Sequence, residues 1–296
     1  MLLREFVDTY RVNHETGISD TTVDCWLKPA VSDLSKFLGR EFTLADFSRE
    51  TINKWIESKQ LAGSPPSTVK TRRNAALALW RCAYDLEMIN VSPDRIRKVR
   101  LGQQAIEAWN KPELKQLVDW INSGMKDRKL PMIKLSKRLF ILSLVMAAYD
   151  SGLRLGDLLS IEFEWLHRNQ LGEGILTICQ HKTQRLVSCR ISPATMLLIE
   201  ELMSQNPDRR LIWPLWCRRD GFYRTFKLIV KDAAIRNGTF RWLRRSSTTH
   251  VEMERPGQGC HHAGHADSRT TSRHYLDFSQ LAHNVRGPAP ILQKID

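Results

Sequence analysis

F-R-W-L-R-R-S-S-T-T-H runs from Phe240 to His250, and G-H-A-D-S-R-T-T-S-R-H-Y-L-D runs from Gly264 to Asp277. Together these stretches carry Arg241, Arg244, Arg245, His265, Arg269, Arg273, His274 and Tyr275. Few reactions need so many cations around one phenol. Attack of a tyrosine on a phosphodiester does. Its pentavalent transition state carries extra negative charge, and fixed guanidinium donors stabilise that state more than the ground state.

The rest of the composition agrees with a polyanionic partner. Lysines and arginines outnumber acids in the 296-residue chain, for a formal net charge of +13, and nucleic acid is the partner that fits best. Hydrophobic residues make up 42% of the chain, enough to bury a core, and the length suits two domains. Cys25, Cys82, Cys179, Cys189, Cys217 and Cys260 are scattered without a C-x-x-C pair, as in reduced thiols rather than a disulfide frame. No stretch has the flanks of a signal peptide or the length of a membrane span. The expected location is the cytoplasm, in association with DNA.

Helical periodicity dominates the first hundred residues, with candidate helices over 2–13, 21–38, 48–59 and 67–87. Gly63 to Ser67, G-S-P-P-S, is a turn feeding the last of these. Lys70, Arg72 and Arg73 sit near its start, where cations oppose the helix dipole and a phosphate would favour them. Arg97 and Lys98 follow within 91–104, a stretch that reads as a linker. Helical signals resume at Lys111, and 135–151 is a strongly apolar helix followed by a short one over 156–163. Residues 174–192 then alternate with period two around a polar centre, which predicts a β-hairpin. Helices are expected again over 193–205, 221–237 and 243–252.

A tyrosine phenol titrates near 10, so nearby cations or a base must activate it. Two arginines are the natural device for neutralising the nonbridging oxygens of a phosphodiester. The departing 5′-oxygen needs a proton, which lysine or histidine can supply. The sequence offers these parts in separate segments. D-S-G-L-R-L-G-D-L-L, Asp150 to Leu159, carries Arg154; the hairpin carries Lys182; Arg244 and Tyr275 lie in the stretches that open this section.

These motifs occur in the order found in the tyrosine recombinases, or phage-type integrases, and the chain resembles that family over 111–277. The match is to S-G-L-R-x-G-[ED]-L-L, a hairpin lysine, L-R-R-[ST] and G-H…T-T…Y. The first hundred residues look like the family's helical core-binding domain by pattern rather than by motif. The resemblance implies a mainly α fold with a small antiparallel β-sheet. It implies a SAM-like core-binding, DNA-binding domain over 1–102, and a catalytic domain with a C-terminal tail over 103–296, together forming a clamp on the duplex. Arg154 and Arg244 would clamp the scissile phosphate, with Asp157 supporting the first. Lys182 would protonate the leaving 5′-oxygen, His265 would hydrogen-bond the phosphate, and Tyr275 would form a 3′-phosphotyrosyl link. No metal or other cofactor is implied. Double-stranded DNA and a homotetramer on DNA are the implied partners, and the tail from Phe278 to Asp296 would pack on a neighbouring protomer.

The sequence departs from the family pattern in places. Arg241 stands where H-x-x-R usually has histidine. The segment between Arg244 and His265 is short, and His265 to Tyr275 is one residue longer than the common form. Two alternatives therefore stay open: a type IB topoisomerase-like nicking and closing enzyme, and a DNA-binding protein of the same fold whose site has drifted. Cys260, His261, His262 and His265 lack the paired spacing of a zinc site. His250 is expected to cap or pack near its helix, and Trp165 and Trp242 to buttress the neighbouring motifs.

Overall fold

The computed structural model describes residues 1–15, 17–102, 105–265 and 267–281. The chain divides into two compact units, Met1–Gln103 and Gln104–Asp296. Among the described residues, no helix is long and apolar enough to cross a membrane.

The first unit is helical. It contains α1 (Leu3–Val12), α2 (Lys28–Leu38), α3 (Arg49–Leu61) and α4 (Pro66–Asp85). The single helix expected over 21–38 is entered through a short turn, Asp20–Thr22, and a π-turn, Val23–Leu27. Ser48 caps α3 by accepting from the Thr51 N–H at 3.1 Å, which satisfies one of the orphan donors of its first turn. Phe6, Leu27, Leu34, Trp55 and Trp80 bury fully, and Phe47 stacks on Trp80 at 5.2 Å between centroids.

The stretch read as a linker is tied to this unit. Trp80 donates its indole N–H to the Val91 carbonyl at 2.7 Å, and Ile96 and Val99 bury in the first core. Arg73 donates from Nε to the Arg97 carbonyl at 2.7 Å and from Nη2 to the Ile96 carbonyl at 3.2 Å. A run of polar residues hides the two apolar anchors, so the sequence pattern alone missed the docking.

The second unit is mainly helical around a small sheet. Its helices are α5 (Lys111–Asp119), α6 (Lys137–Ser151), α7 (Leu155–Leu158), α8 (Pro193–Ser204), α9 (Arg219–Asp232), α10 (Arg241–Glu254), α11 (Gly259–His262) and α12 (Ser268–His274). Asn110 caps α5, and the Glu113 carboxylate in return accepts from the Asn110 N–H at 2.9 Å. A small antiparallel pair, β1 (Lys129–Leu130) and β2 (Leu135–Ser136), precedes α6. Its strands are too short to give a periodic signal.

The predicted hairpin is present as β4 (Gly174–Cys179) and β5 (Leu186–Ile191), with Cys179 opposite Leu186. A third antiparallel strand, β3 (Leu166–Arg168), joins β4 to give the order β3-β4-β5. Leu176 and Ile178 face the core, and Asp150 accepts from the Ser192 N–H at 2.8 Å to tie α6 to the start of α8. Trp242 packs on Trp109 at 5.5 Å, as a buttress should, whereas Trp165 is partly exposed.

Gly174 is where the sheet meets α8 most closely. A Cβ there would collide with the end of Met196 and lie 2.8 Å from Leu166 Cδ1 and 3.1 Å from Ile191 Cβ. Gly174→Ala is expected to lower stability by about 1–3 kcal/mol through overpacking, read as a lower denaturation midpoint with an unchanged slope.

Candidate active site

The site is built from the ends of elements. Helix α6 stays apolar along nearly its whole length and stops at Gly152, whose φ of 61° ends the helix in the left-handed region. The chain then turns to present Arg154 just before α7. A side chain at Gly152 would be strained at that φ, and its Cβ would lie 2.8 Å from His262 Nε2. Glycine is therefore required twice over at this position.

Arg154 is held by the hairpin. Its Nη1 donates to Gln180 Oε1 at 3.0 Å and lies 3.8 Å from Asp157 Oδ2. Asp157, only 2% exposed, also accepts from the His181 N–H at 3.1 Å through Oδ1. One carboxylate thus faces the arginine and fixes the hairpin turn that carries Lys182. The six residues from Gln180 to Arg185 make that turn, closed by the Gln180 N–H on the Arg185 carbonyl at 2.8 Å, with Gln184 at φ 52°.

Arg244 lies in the first turn of α10 and is 3% exposed. Its Nη1 donates to the Gly152 carbonyl, and its Nη2 to the Ala263 carbonyl at 2.6 Å. Nη2 also meets His265 Nε2 at 2.8 Å. Burial pulls its pKa down to about 10, and Arg154 adds to the fall, yet it stays charged at neutral pH. Its Nε is buried without a hydrogen-bond partner. Such an orphan donor is costly unless an anion satisfies it.

The histidines support this arginine. A guanidinium only donates, so His265 Nε2 must accept from Arg244, and Nδ1 carries the proton toward Thr271 Oγ1 at 2.7 Å. Burial, then Arg244 and Arg154, push the His265 pKa down to about 4, which agrees with a neutral ring. Both ring nitrogens are thus occupied, so in this arrangement His265 presents no N–H for the phosphate contact expected from the sequence. His262 Nε2 meets Ser247 Oγ at 2.5 Å, and that hydroxyl donates to the Tyr149 carbonyl. His250 is buried, with Nδ1 2.8 Å from the Tyr149 hydroxyl, as a packing residue.

Tyr275 follows α12 directly. The Arg244 guanidinium carbon stands 5.0 Å and that of Arg241 5.3 Å from its ring centroid, and the His265 ring is 4.4 Å away. Burial raises the phenol's pKa, but Arg244, Arg241 and Arg154, with a hydrogen bond from Arg241, outweigh it and the net shift is downward.

Arg154, Lys182, Arg241, Arg244 and Tyr275 line one cavity of about 760 Å³, whose other wall includes Tyr223, Arg224 and Lys227 of α9. His265 and Asp157 stand behind the arginines. In the first unit Arg72 Nε lies 3.6 Å from Asp33 and Arg97 lies 3.7 Å from Glu57. Arg73 is spent on backbone carbonyls, Lys70 is half-buried and Lys98 is exposed. The described start of the tail packs on its own unit, with Leu281 buried and Gln280 donating to the Ala108 carbonyl at 2.9 Å. The rest of the tail lies outside the described residues.

The sequence pattern did not mark Gln180 as a site residue. It is fully buried, holds Arg154 and accepts from the Thr183 hydroxyl at 2.9 Å. A signal existed: Gln180 continues the inward parity of Leu176 and Ile178, and a polar residue there needs a partner. Ser247 and Thr271 gave no such signal, because their partners come from distant turns.

No family model matches this chain, and no curated protein does. Solved structures do. A lambda integrase dimer bound to a COC′ core site matches with a TM-score of 0.69 at 16% identity, over 99% of this chain and 81% of that one. The XerH site-specific recombinase, in a post-cleavage complex with a palindromic difH substrate, matches at 0.67 and 16% over 81% and 70%. The Tn1549 transposon integrase in complex with circular intermediate DNA matches at 0.67 and 10% over 97% and 100%. The chain has the fold of the tyrosine recombinases.

Protonation should loosen the site's support. His262 titrates at about 4 in the fold against 6.5 for the free side chain, because burial and Arg244 oppose its charge. Between these values the unfolded chain binds more protons, so stability is full above the upper value and is lost as pH falls through the window. The whole traverse is worth roughly 3 kcal/mol. Denaturant titration from neutral pH down to about pH 4 is expected to show this loss, and His262→Gln to show less of it.

Proposed function

We propose that this chain is a site-specific DNA recombinase that cuts and rejoins strands through a 3′-phosphotyrosyl intermediate. The observation that carries the reading is Tyr275 under the guanidinium groups of Arg241 and Arg244, in one cavity with Arg154 and Lys182. A phosphodiester entering that cavity meets cations at its nonbridging oxygens and the phenol at phosphorus. Arg154 and Arg244, both lining the cavity, bind the phosphate and stabilise the charge that grows in the transition state. Tyr275 attacks, the bond from phosphorus to the 5′-oxygen breaks, and Lys182 delivers the proton that the leaving oxygen needs. Asp157 and His265 position the arginines. The phosphotyrosyl bond conserves the energy for rejoining, so the cycle needs no nucleotide cofactor.

In this reading residues 1–102 form the core-binding domain and 103–296 the catalytic domain. Lys70, Arg72, Arg97 and Lys98 contribute phosphate contacts from the first, and Arg73 braces the chain that carries Arg97 and Lys98. Strand exchange takes place in a homotetramer on DNA, in the cytoplasm. A lambda integrase tetramer bound to a Holliday junction, which has the same fold, supports that assembly. Affinity should come mainly from phosphate contacts and fall steeply with salt.

A nicked suicide duplex carrying the cognate site traps the intermediate. Wild-type protein is expected to give a covalent protein–DNA adduct, and Tyr275→Phe to give none while binding within about threefold of wild type, since one hydroxyl adds little to a phosphate-dominated interface. Gel retardation and denaturing electrophoresis of the same reactions read the two quantities. An adduct that persists in Tyr275→Phe contradicts the assignment.

A further inference from the structure

Lys182 sits in the exposed turn between β4 and β5 and lines the cavity. A lysine on its flexible stem delivers a proton efficiently only if the backbone beneath it is held in place. Here the residues on both sides of it are tied down. The His181 N–H donates to Asp157 Oδ1 at 3.1 Å, and the Thr183 hydroxyl donates to Gln180 Oε1 at 2.9 Å. Both acceptor side chains also face one nitrogen of Arg154, whose Nη1 donates to Gln180 Oε1 at 3.0 Å and lies 3.8 Å from Asp157 Oδ2. Gln180 is itself immobile. It is fully buried, and its amide nitrogen lies against Gly264, where a Cβ would come within 3.0 Å of it. Its backbone closes the turn, with its N–H on the Arg185 carbonyl and its carbonyl accepting from the Gln184 N–H, each at 2.8 Å. The base of Lys182 is therefore fixed relative to the arginine that meets the phosphate.

We propose that Thr183 is a positioning residue for proton delivery: its hydroxyl, through Gln180 Oε1, locks the turn that carries Lys182 to Arg154. This rests on the recombinase reading of the site and adds what places its acid. In cleavage the phenol oxygen of Tyr275 bonds to phosphorus and its proton passes to water. The bond from phosphorus to the 5′-oxygen breaks, the electron pair stays on that oxygen, and Lys182 gives it a proton. The neutral amine takes a proton back from the attacking 5′-hydroxyl when the strand rejoins. A shift of the donor by about 1 Å can cost on the order of 100-fold in such a step. Of the two ties that flank Lys182, the one through Asp157 is made by a backbone N–H, and Asp157 is buried beside Arg154, so changing it would disturb the phosphate clamp as well. Thr183 is exposed, and without its hydroxyl Gln180 Oε1 still accepts from Arg154. Its loss should therefore loosen the acid and leave the clamp in place.

The test uses the full chain and two nicked suicide duplexes, with the binding site selected from a random duplex pool by gel retardation. One duplex has the natural oxygen at the bridging 5′ position of the scissile phosphate, and the other has sulfur there. A thiolate leaves without being protonated, so the sulfur duplex bypasses the acid. Lys182→Met sets the reference: it should lose about 100-fold in adduct formation on oxygen and regain it on sulfur. Thr183→Val is expected to form adduct about 10–100-fold more slowly than wild type on oxygen. On sulfur it should run within about threefold of wild type, with binding unchanged. Thr183→Ser, which keeps the hydroxyl, should restore the rate on oxygen. Thermal melting checks that the variants fold. A Thr183→Val protein as fast as wild type on oxygen overturns the proposal. So does one slowed equally on both duplexes, because a general loosening of the fold or of the phosphate clamp would not distinguish oxygen from sulfur. Wild-type protein that binds yet forms no adduct on either duplex rejects the recombinase reading itself.

Discussion

The buried guanidinium of Arg244 is the interaction on which the site depends. It joins the end of α6 through the Gly152 carbonyl, the end of α11 through the Ala263 carbonyl, and His265 through Nε2. Each acceptor is a group that would otherwise need a partner inside the protein. Desolvating a guanidinium is expensive, and several hydrogen bonds to fixed acceptors offset that cost. The side chain cannot fill this place without bringing together segments that are distant in the sequence. The same guanidinium stands 5.0 Å from the Tyr275 ring centroid and lines the cavity.

The neighbouring groups follow from that placement. Gly152 must be glycine because its φ is positive and His262 stands against it. His262 is held neutral by its burial and by the nearby Arg244, and its hydrogen bond to Ser247 reaches back to Tyr149 on α6. His265 is neutral for the same reason and becomes an acceptor rather than a phosphate donor. Tyr275 feels the opposite effect, since its charged form is an anion. Burial and these cations both lower the histidine pKa values, whereas at Tyr275 the cations act against burial.

Much of this was legible in the sequence where a residue's work depends on local order. Arg154, Lys182, Arg244 and Tyr275 sit in recognisable motifs, and the hairpin shows itself by alternation between Gly174 and Ile191. The mainly α fold with a small antiparallel sheet followed from the same signals. What escaped was work done across turns. Gln180 looked like part of a polar hairpin turn, yet it is buried and braces Arg154. Strand β3 and the β1–β2 pair are too short to carry a period. Ile96 and Val99 dock on the first unit although their neighbours read as a linker. Sequence order also says nothing of which His265 ring nitrogen faces Arg244 and which faces Thr271.

The proposed reaction joins Tyr275 covalently to DNA. Mass spectrometry of the peptide left after proteolysis and nuclease digestion of the trapped complex measures this directly. The expected product is a nucleotide 3′-phosphate on the peptide containing Tyr275, with fragmentation locating it on that phenol. A nucleotide on any other residue, or DNA cleavage with no covalent intermediate, would contradict that reaction.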